Sequence, residues 1–302
     1  MSTPTQFTVG FIGLGDMGRP MAMRLLKAGI AMVVCDRNAV ATQDFVARGA
    51  KAVQSGRDVA DLADLVFTCL PSPAISEAVA LGDDGLVHGK RMRWYAESST
   101  SGPETVARIA AGLAPLGVQT LDAPVSGGPR AEAAGRLTCF VAAPPEAFEA
   151  ARPVLSIMSD KLYHVGHKPG QSQVLKLANN LLNAACLTIS SEMVLMAQAA
   201  DIDLNVALEV INASTGRNRA TEDTLLTQVA TGKFHTGARL DILHKDVQLA
   251  LKEADRLGVS STASQGVLTV WDQAMAAGLG AIDLTRIYEF IAEQTCPASP
   301  VG

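Results

Sequence analysis

Ser172, Lys176 and Asn180 recur every four residues, so on a helix they share one face. The neighbours of Lys176 are apolar: Val174, Leu175, Leu177 and Ala178. A lysine and two asparagines, Asn179 and Asn180, are costly to bury in such a stretch unless they are paired. One reading is a lysine proton donor oriented by Asn180, since removal from water lowers an ammonium pKa toward working pH. The other is a helix whose first half faces solvent. The segment Asp122–Gly128, DAPVSGG, leaves a predicted strand and turns through two glycines. It is either an ordinary glycine loop or an anion nest, in which Ser126 and the N–H groups of Gly127 and Gly128 hold a carboxylate. His244-Lys245-Asp246 is expected at the start of an amphipathic helix. Asp246 suits a helix N-terminus there, whereas Lys245 needs an anion or carboxylate to face it; a surface pair is the plainer reading. Ser98-Ser99-Thr100 follows a strand and can cap a helix ahead of Pro103-Glu104. The five histidines show no ligand spacing, so no metal site is expected.

Phe7–Leu26 reads FTVGFIGLGDMGRPMAMRLL. Phe7–Ile12 has the composition of a buried strand, and Met17–Leu26 carries apolar residues at helical spacing. Between them lies Gly13-x-Gly15-x-x-Gly18, with Leu14, Asp16 and Met17 filling the turn. Strand, glycine turn and helix form the context a dinucleotide fingerprint requires. Gly13 permits the turn, Gly15 lets a pyrophosphate approach the backbone, and Gly18 lets helix pack on strand. The helix N-terminus offers N–H groups to the phosphates. Asp36 ends the next apolar run, Ala31–Cys35, and can bond both ribose hydroxyls of an adenosine half. NAD is therefore the favoured cofactor. Arg37, which follows, can instead pair a 2′-phosphate, which makes NADP the alternative.

These groups need a scaffold. Strands are predicted at 7–12, 31–35, 51–53, 63–70, 93–97, 118–122, 137–142 and 162–165, and helices at 17–26, 39–48, 74–81, 103–116 and 146–158. Such alternation predicts a doubly wound, mostly parallel sheet covered on both faces, a Rossmann-type α/β domain over residues 1–167. Gly13, Asp36, Pro71, Thr100 and Ser126 all follow predicted strand ends, where such sheets bind ligands. Beyond His167 no further strand is expected. A long helix over 171–200 leads into an all-α domain, 168–302, with further helices near 206–212, 222–231, 243–257, 261–277 and 284–293. Residues 296–302, CPASPVG, read as a frayed tail.

The chain's 302 residues suit one large or two ordinary domains, and a composition 48% apolar and 18% charged is that of a globular protein. A net charge of −5 argues against nucleic acid or an anionic membrane as partner. The five cysteines are odd in number and lack metal spacing, which suggests reduced thiols in a cytosolic protein. No signal peptide or unbroken apolar run of membrane length is seen, so a soluble, cytoplasmic protein is expected.

Taken together, GFIGLGDMGRPMA, LPSP (70–73), ESST (97–100), DAPVSGG, GQSQVLKLANN (170–180) and HKDVQLAL (244–251) resemble the β-hydroxyacid dehydrogenase family, which includes 3-hydroxyisobutyrate dehydrogenase and tartronate semialdehyde reductase. The similarity runs from about Phe7 to Glu293. It implies an NAD(P)-dependent oxidoreductase of a small 3-hydroxyacid or its semialdehyde. In that family Ser126, Gly127 and Gly128 would hold the substrate carboxylate, Lys176 would be the general acid or base, and Asn180 would orient it. Lys245 would line the nicotinamide and substrate pocket, Asp246 would anchor that segment, and Phe234 would lie near the substrate. Leu70, Pro71 and Thr100 would flank the cofactor beside Gly13–Gly18, Asp36 and Arg37. A homodimer or homotetramer is implied. Departures occur at Pro129-Arg130, Ala131, Glu132, Ser172 and Glu97. The competing readings are a threonate- or sulfolactaldehyde-type reductase and a non-catalytic cofactor-binding relative; Lys176 and Asn180 together argue against the latter, and Lys176 against an imine reductase.

Overall fold

The computed structural model describes residues 7–128 and 137–294. The departures at 129–132 and the predicted tail lie outside the described residues. The chain divides into two compact units, Met1–Lys176 and Leu177–Gly302. The first turn of the long helix is hydrogen-bonded to the sheet through Asp122.

In the first unit, β1 (Thr8–Ile12), β2 (Ala31–Cys35), β3 (Lys51–Ala52), β4 (Leu65–Thr68), β5 (Trp94–Glu97) and β6 (Gln119–Asp122) pair in parallel in the order β3-β2-β1-β4-β5-β6. This is the dinucleotide-fold order, and the direction of winding switches between β1 and β4. β8 (Thr138–Ala142) then runs antiparallel to β6 and to the short β7 (Val125–Ser126), while β9 (Lys161–Gly166) pairs with β8 in parallel. β7 was expected as loop.

Alternation along the strands makes two cores. Phe11, Val34 and Phe67 face one side with Met21 and Leu25 of α1 (Gly18–Lys27) and Val154 and Leu155 of α6 (Pro145–Met158). Ile12, Val33 and Val66 face the other side. There they meet Val59 of α3 (Gly56–Leu62) and Ile109 of α5 (Pro103–Leu113). α2 (Ala39–Val46) and α4 (Pro73–Leu81) complete the layers. α3 was not expected. It is too short to show a period, but Ser55 caps it by accepting from the Asp58 N–H at 3.1 Å. Gly10 makes room for it: a Cβ there would lie 2.4 Å from Val59.

α7 (Gln171–Ala199) carries the chain into the second unit. There α8 (Leu204–Asn212), a π-helix at Ala220–Val229, α9 (Leu240–Arg256), α10 (Thr262–Ala276) and α11 (Ile287–Gln294) pack around the fully buried Trp271. The Trp271 indole N–H donates to Thr188 of α7 at 2.9 Å. Although α7 holds no unbroken apolar run, it is long and apolar enough by length and composition to cross a membrane, with an 18-residue window of mean hydropathy 1.3. One third of the window is buried within the chain.

Candidate active site

The first unit brings its expected site segments to one edge of the sheet. Ile12 pairs with Cys35 and Thr68, Thr68 with Glu97, and Glu97 with Asp122, so five strands end level. The segments that leave them carry Gly13–Gly18, Asp36, Leu70–Pro71, Ser98–Thr100 and Ser126–Gly128.

The glycine turn can be tested position by position for a dinucleotide. Gly13 has φ +94°, and a Cβ there would lie 2.3 Å from the Cys69 carbonyl. A Cβ at Gly18 would lie 1.9 Å from the Gly13 carbonyl. The chain's own packing demands both glycines. Gly15 differs: a Cβ there would meet nothing within 4 Å. Gly15 and Asp16 are exposed, while Leu14 is buried. The chain does not need a glycine at 15 for itself, which is what a cradle for an outside group requires. α1 starts at Gly18 after Met17, with no side-chain cap and no acid in its first turn, so its N-terminal N–H groups suit an anion. Asp36 Oδ2 accepts from the Leu14 N–H at 2.6 Å, and Oδ1 from the Asn38 N–H at 2.8 Å. The carboxylate thus stands over the turn, half-buried, beside an exposed Arg37. These residues fit a dinucleotide.

Beside this turn lies a polar network that the sequence reading missed. Glu97 is fully buried and accepts from the Tyr95 hydroxyl at 2.8 Å, Thr68 Oγ1 at 3.1 Å and the Ser99 N–H at 2.9 Å. Burial pushes its carboxyl above the usual range. Ser99 Oγ accepts from the Leu70 N–H at 2.8 Å, which holds the Leu70–Pro71 segment. Asp122, also fully buried, accepts from the N–H groups of Gly170 and Gln173 at 2.9 and 3.1 Å and from Gln173 Nε2 at 2.8 Å. Desolvation outweighs these bonds and, with help from the nearby Glu97 charge, lifts the Asp122 carboxyl to about 7. A signal was available: the predicted strands at 93–97 and 118–122 each end on an acid, and a buried acid must find donors.

Ser126 ends β7, and Gly127 and Gly128 follow with φ +138° and +70°. Both are conformations that favour glycine. Lys176 lies on α7 with 8% of its surface exposed, so it is not the solvated lysine of the alternative reading. Ser172, one turn earlier, is fully buried.

The second unit gathers a different trio. Asp246 is 2% exposed and accepts from Asn180 Nδ2 at 2.6 Å and Lys245 Nζ at 2.7 Å. The expectation that His244–Asp246 opens a helix is corrected. α9 begins at Leu240, because Leu240, Leu243 and Val247 form its buried stripe, and Asp246 sits well inside it. Its charge serves Asn180 and Lys245 instead of a helix dipole. His244 bonds Asp272 at 2.6 Å. Phe234 takes φ +44°, unusual for a bulky residue, with the Arg286 guanidinium 5.0 Å from its ring centre. Among the described residues, no cluster of three or more His, Cys, Asp or Glu could hold a metal, and Cys35, Cys69, Cys139 and Cys186 are free thiols.

Residues 8–166 match the NAD binding domain of 6-phosphogluconate dehydrogenase, and residues 170–291 match the NAD-binding domain of NADP-dependent 3-hydroxyisobutyrate dehydrogenase. The chain is 32% identical to 2-(hydroxymethyl)glutarate dehydrogenase of Eubacterium barkeri, over 95% of each chain. It is 37% identical to the NAD-dependent L-serine dehydrogenase of Pseudomonas aeruginosa, over 84% of this chain and 87% of that one. The chain belongs to the β-hydroxyacid dehydrogenase family. A solved structure of this family, Mycobacterium tuberculosis 3-hydroxyisobutyrate dehydrogenase with L-serine, superposes with a TM-score of 0.84 at 26% identity, covering 94% of this chain and 99% of that one. As a β-hydroxyacid dehydrogenase, the protein is an oxidoreductase acting on a hydroxyl group with NAD(P) as cofactor. The N-terminal Rossmann domain followed by a helical domain is the fold of this family.

Proposed function

We propose that the protein interconverts a small 3-hydroxyacid and its semialdehyde, in the manner of a 3-hydroxyisobutyrate dehydrogenase or a tartronate semialdehyde reductase. The observation that carries this reading is Lys176, a buried lysine in the first turns of α7. When bound, NAD(P)H would supply the hydride in reduction and NAD(P)+ would take it in oxidation. In reduction the Lys176 ammonium protonates the carbonyl oxygen, and in oxidation the neutral amine takes the hydroxyl proton. Ser126 and the N–H groups of Gly127 and Gly128 hold the substrate carboxylate and so fix which carbon faces the nicotinamide. Asn180 orients the substrate and lysine from its bond to Asp246, which also steadies Lys245. Phe234 lines the substrate side. Two of the relatives are named for L-serine and 2-(hydroxymethyl)glutarate. Both molecules carry a hydroxymethyl group on the carbon beside a carboxylate, which supports this substrate class.

The residues that hold the cofactor are Gly13–Gly18, Asp36, Leu70, Pro71 and Thr100, joined by Lys245 and Asp246. Asp36 favours NAD, because it repels a 2′-phosphate while bonding a free hydroxyl; Arg37 is what an NADP enzyme would use. The test is nicotinamide absorbance with NADH and NADPH against a panel of semialdehyde carboxylates, and with the hydroxyacids in reverse. Lys176→Ala should lose about 10²–10⁴-fold in kcat while still binding cofactor. Retained turnover would remove Lys176 from the chemistry.

The proposal extends to a soluble, cytoplasmic homodimer or homotetramer built through the helical unit. Leu182, Ile189 and Met196 of α7 are 66%, 53% and 63% exposed, and a largely apolar groove of about 680 Å³ runs between the C-terminal half of α7 and α8. Apolar surface on this scale is what a second copy would cover. A monomeric mass by light scattering at about micromolar concentration would refute it.

A further inference from the structure

One side-chain amide joins the segments expected at the site. An amide has two acceptor lone pairs and two N–H donors, and Gln173 uses all four. Its Oε1 accepts from the N–H groups of Ser101 and Gly102, each at 3.0 Å. Its Nε2 donates to the Ser99 carbonyl at 3.1 Å and to Asp122 Oδ1 at 2.8 Å. A flipped amide would set donors against donors, so these partners fix its orientation. Gln173 and Asp122 have no exposed surface. Asp122 Oδ2 also accepts the backbone N–H groups of Gly170 and Gln173. Ser99 passes the contact on, through its hydroxyl, to Leu70.

We infer that Gln173 and Asp122 form a positioning bridge that sets Lys176 against the cofactor-flanking loops at 70–71 and 99–102. The inference rests on the reading of Lys176 as proton donor. Capping α7 would need only the Asp122 bonds to two backbone N–H groups. The side-chain bonds of Gln173 to Ser99, Ser101 and Gly102 add nothing to that cap. They tie the helix to the loop that carries Thr100. Lys176 lies three residues beyond Gln173 on the same helix, so holding this turn holds the lysine's backbone. A proton donor works only within about 2.6–3.2 Å of its target, and a misplacement of about 1 Å can cost about 10²-fold in rate. An apolar residue of the same size would fill the space without setting the distance.

Gln173→Glu keeps the shape and both acceptor positions but loses both donors, placing a carboxylate against Asp122 and the Ser99 carbonyl. Protonation restores one O–H donor toward Asp122. The other titratable groups that act on Asp122 or are acted on by it are Glu97 and Tyr95 of β5 and Cys139 of β8, and they are common to all variants. In the full-length protein with cofactor, Gln173→Glu should lose about 10²-fold in kcat at pH 8 and recover about tenfold, relative to wild type, at pH 6. Gln173→Met should lose as much and recover nothing. Wild-type kcat, KM and pH profile in both variants would overturn the bridge, as would an equal loss in both with no recovery of the Glu variant. In the unmutated protein, hydrogen exchange at Ser101, Gly102, Gly170 and Gln173 should be slow. Exchange as fast as in exposed loops would overturn the bridge whether or not the variants fold. Lys176→Ala, run in parallel, separates the two readings. Full turnover in Lys176→Ala sinks the proton donor, whereas its loss beside unchanged Gln173 variants sinks only the bridge.

Discussion

Asp36 follows β2 and Asp122 ends β6, and each carboxylate accepts backbone N–H groups from a segment distant in sequence. Asp36 stands half-buried beside the exposed Gly15 and Asp16, whereas Asp122 is sealed from solvent. The difference is one of exchangeable partners. A half-buried carboxylate has lone pairs left over and can share them with a ligand's hydroxyls. A sealed one can only hold the chain, and every donor that it serves is committed. In the function proposed above, the two acids of the same sheet edge divide the work, one toward the cofactor and one toward the helix that carries Lys176.

That contrast can be broken by mutation. The largest stability effect is expected at Asp122→Ala, which leaves buried donors at Gly170 and Gln173 unsatisfied and should cost about 3 kcal/mol or more in denaturant unfolding. Asp122→Asn sharpens the point through pH. The folded carboxyl is raised from 3.8 to about 7. Its contribution to stability is therefore full below pH about 3.8 and is lost as pH rises through about 7. The Asn variant does not titrate, so it should gain on wild type across that window in pH-dependent unfolding. A gap constant from pH 4 to 8 would mean that Asp122 titrates normally. Next in size, Gly18→Ala should cost about 1–3 kcal/mol, because its Cβ meets the Gly13 carbonyl. Asp36→Ala should leave the fold intact and weaken NAD binding about tenfold, the worth of a charge-assisted hydrogen bond, while NADP binding changes less. Equal losses for the two cofactors would remove Asp36 from the choice between them. The smallest effect on the fold belongs to Gly15→Ala. Its Cβ meets nothing in the chain, so stability should move by less than about 0.5 kcal/mol, and titration should still show weaker cofactor binding. A stability loss equal to that of Gly18→Ala would mean that the turn is built for itself and not for a ligand.

Much of this architecture was legible beforehand. β1, β2, β4 and β5 are short, largely apolar runs punctuated by glycine, proline or an acid, and their alternation divides between two cores. α7 was legible from its length, and Lys176 from an apolar neighbourhood that a solvated lysine does not require. α3 escaped because seven residues show no period and its packing depends on Gly10 of a distant strand. The start of α9 was read too late, because Leu240 earns its place only by packing in the helical core. Asp246 consequently changed role, from a helix-terminal charge to the buried acceptor of Asn180 and Lys245.

The sequence by itself determined the glycine turn, the alternation of the principal strands and helices, and the residue types that could move a proton or hold a carboxylate. These follow from local sterics and from periodicity, which act over a few residues. Only the tertiary structure decided which polar groups meet. Gln173 reaches Asp122 across 51 positions, and Asn180 reaches Asp246 across 66. Such pairings depend on where strands and helices come to rest, and no spacing along the chain encodes them. The same holds for burial: Asp36 and Asp122 both sit at the ends of predicted strands, and only the packing above each decides which one is sealed and which is left within reach of a ligand.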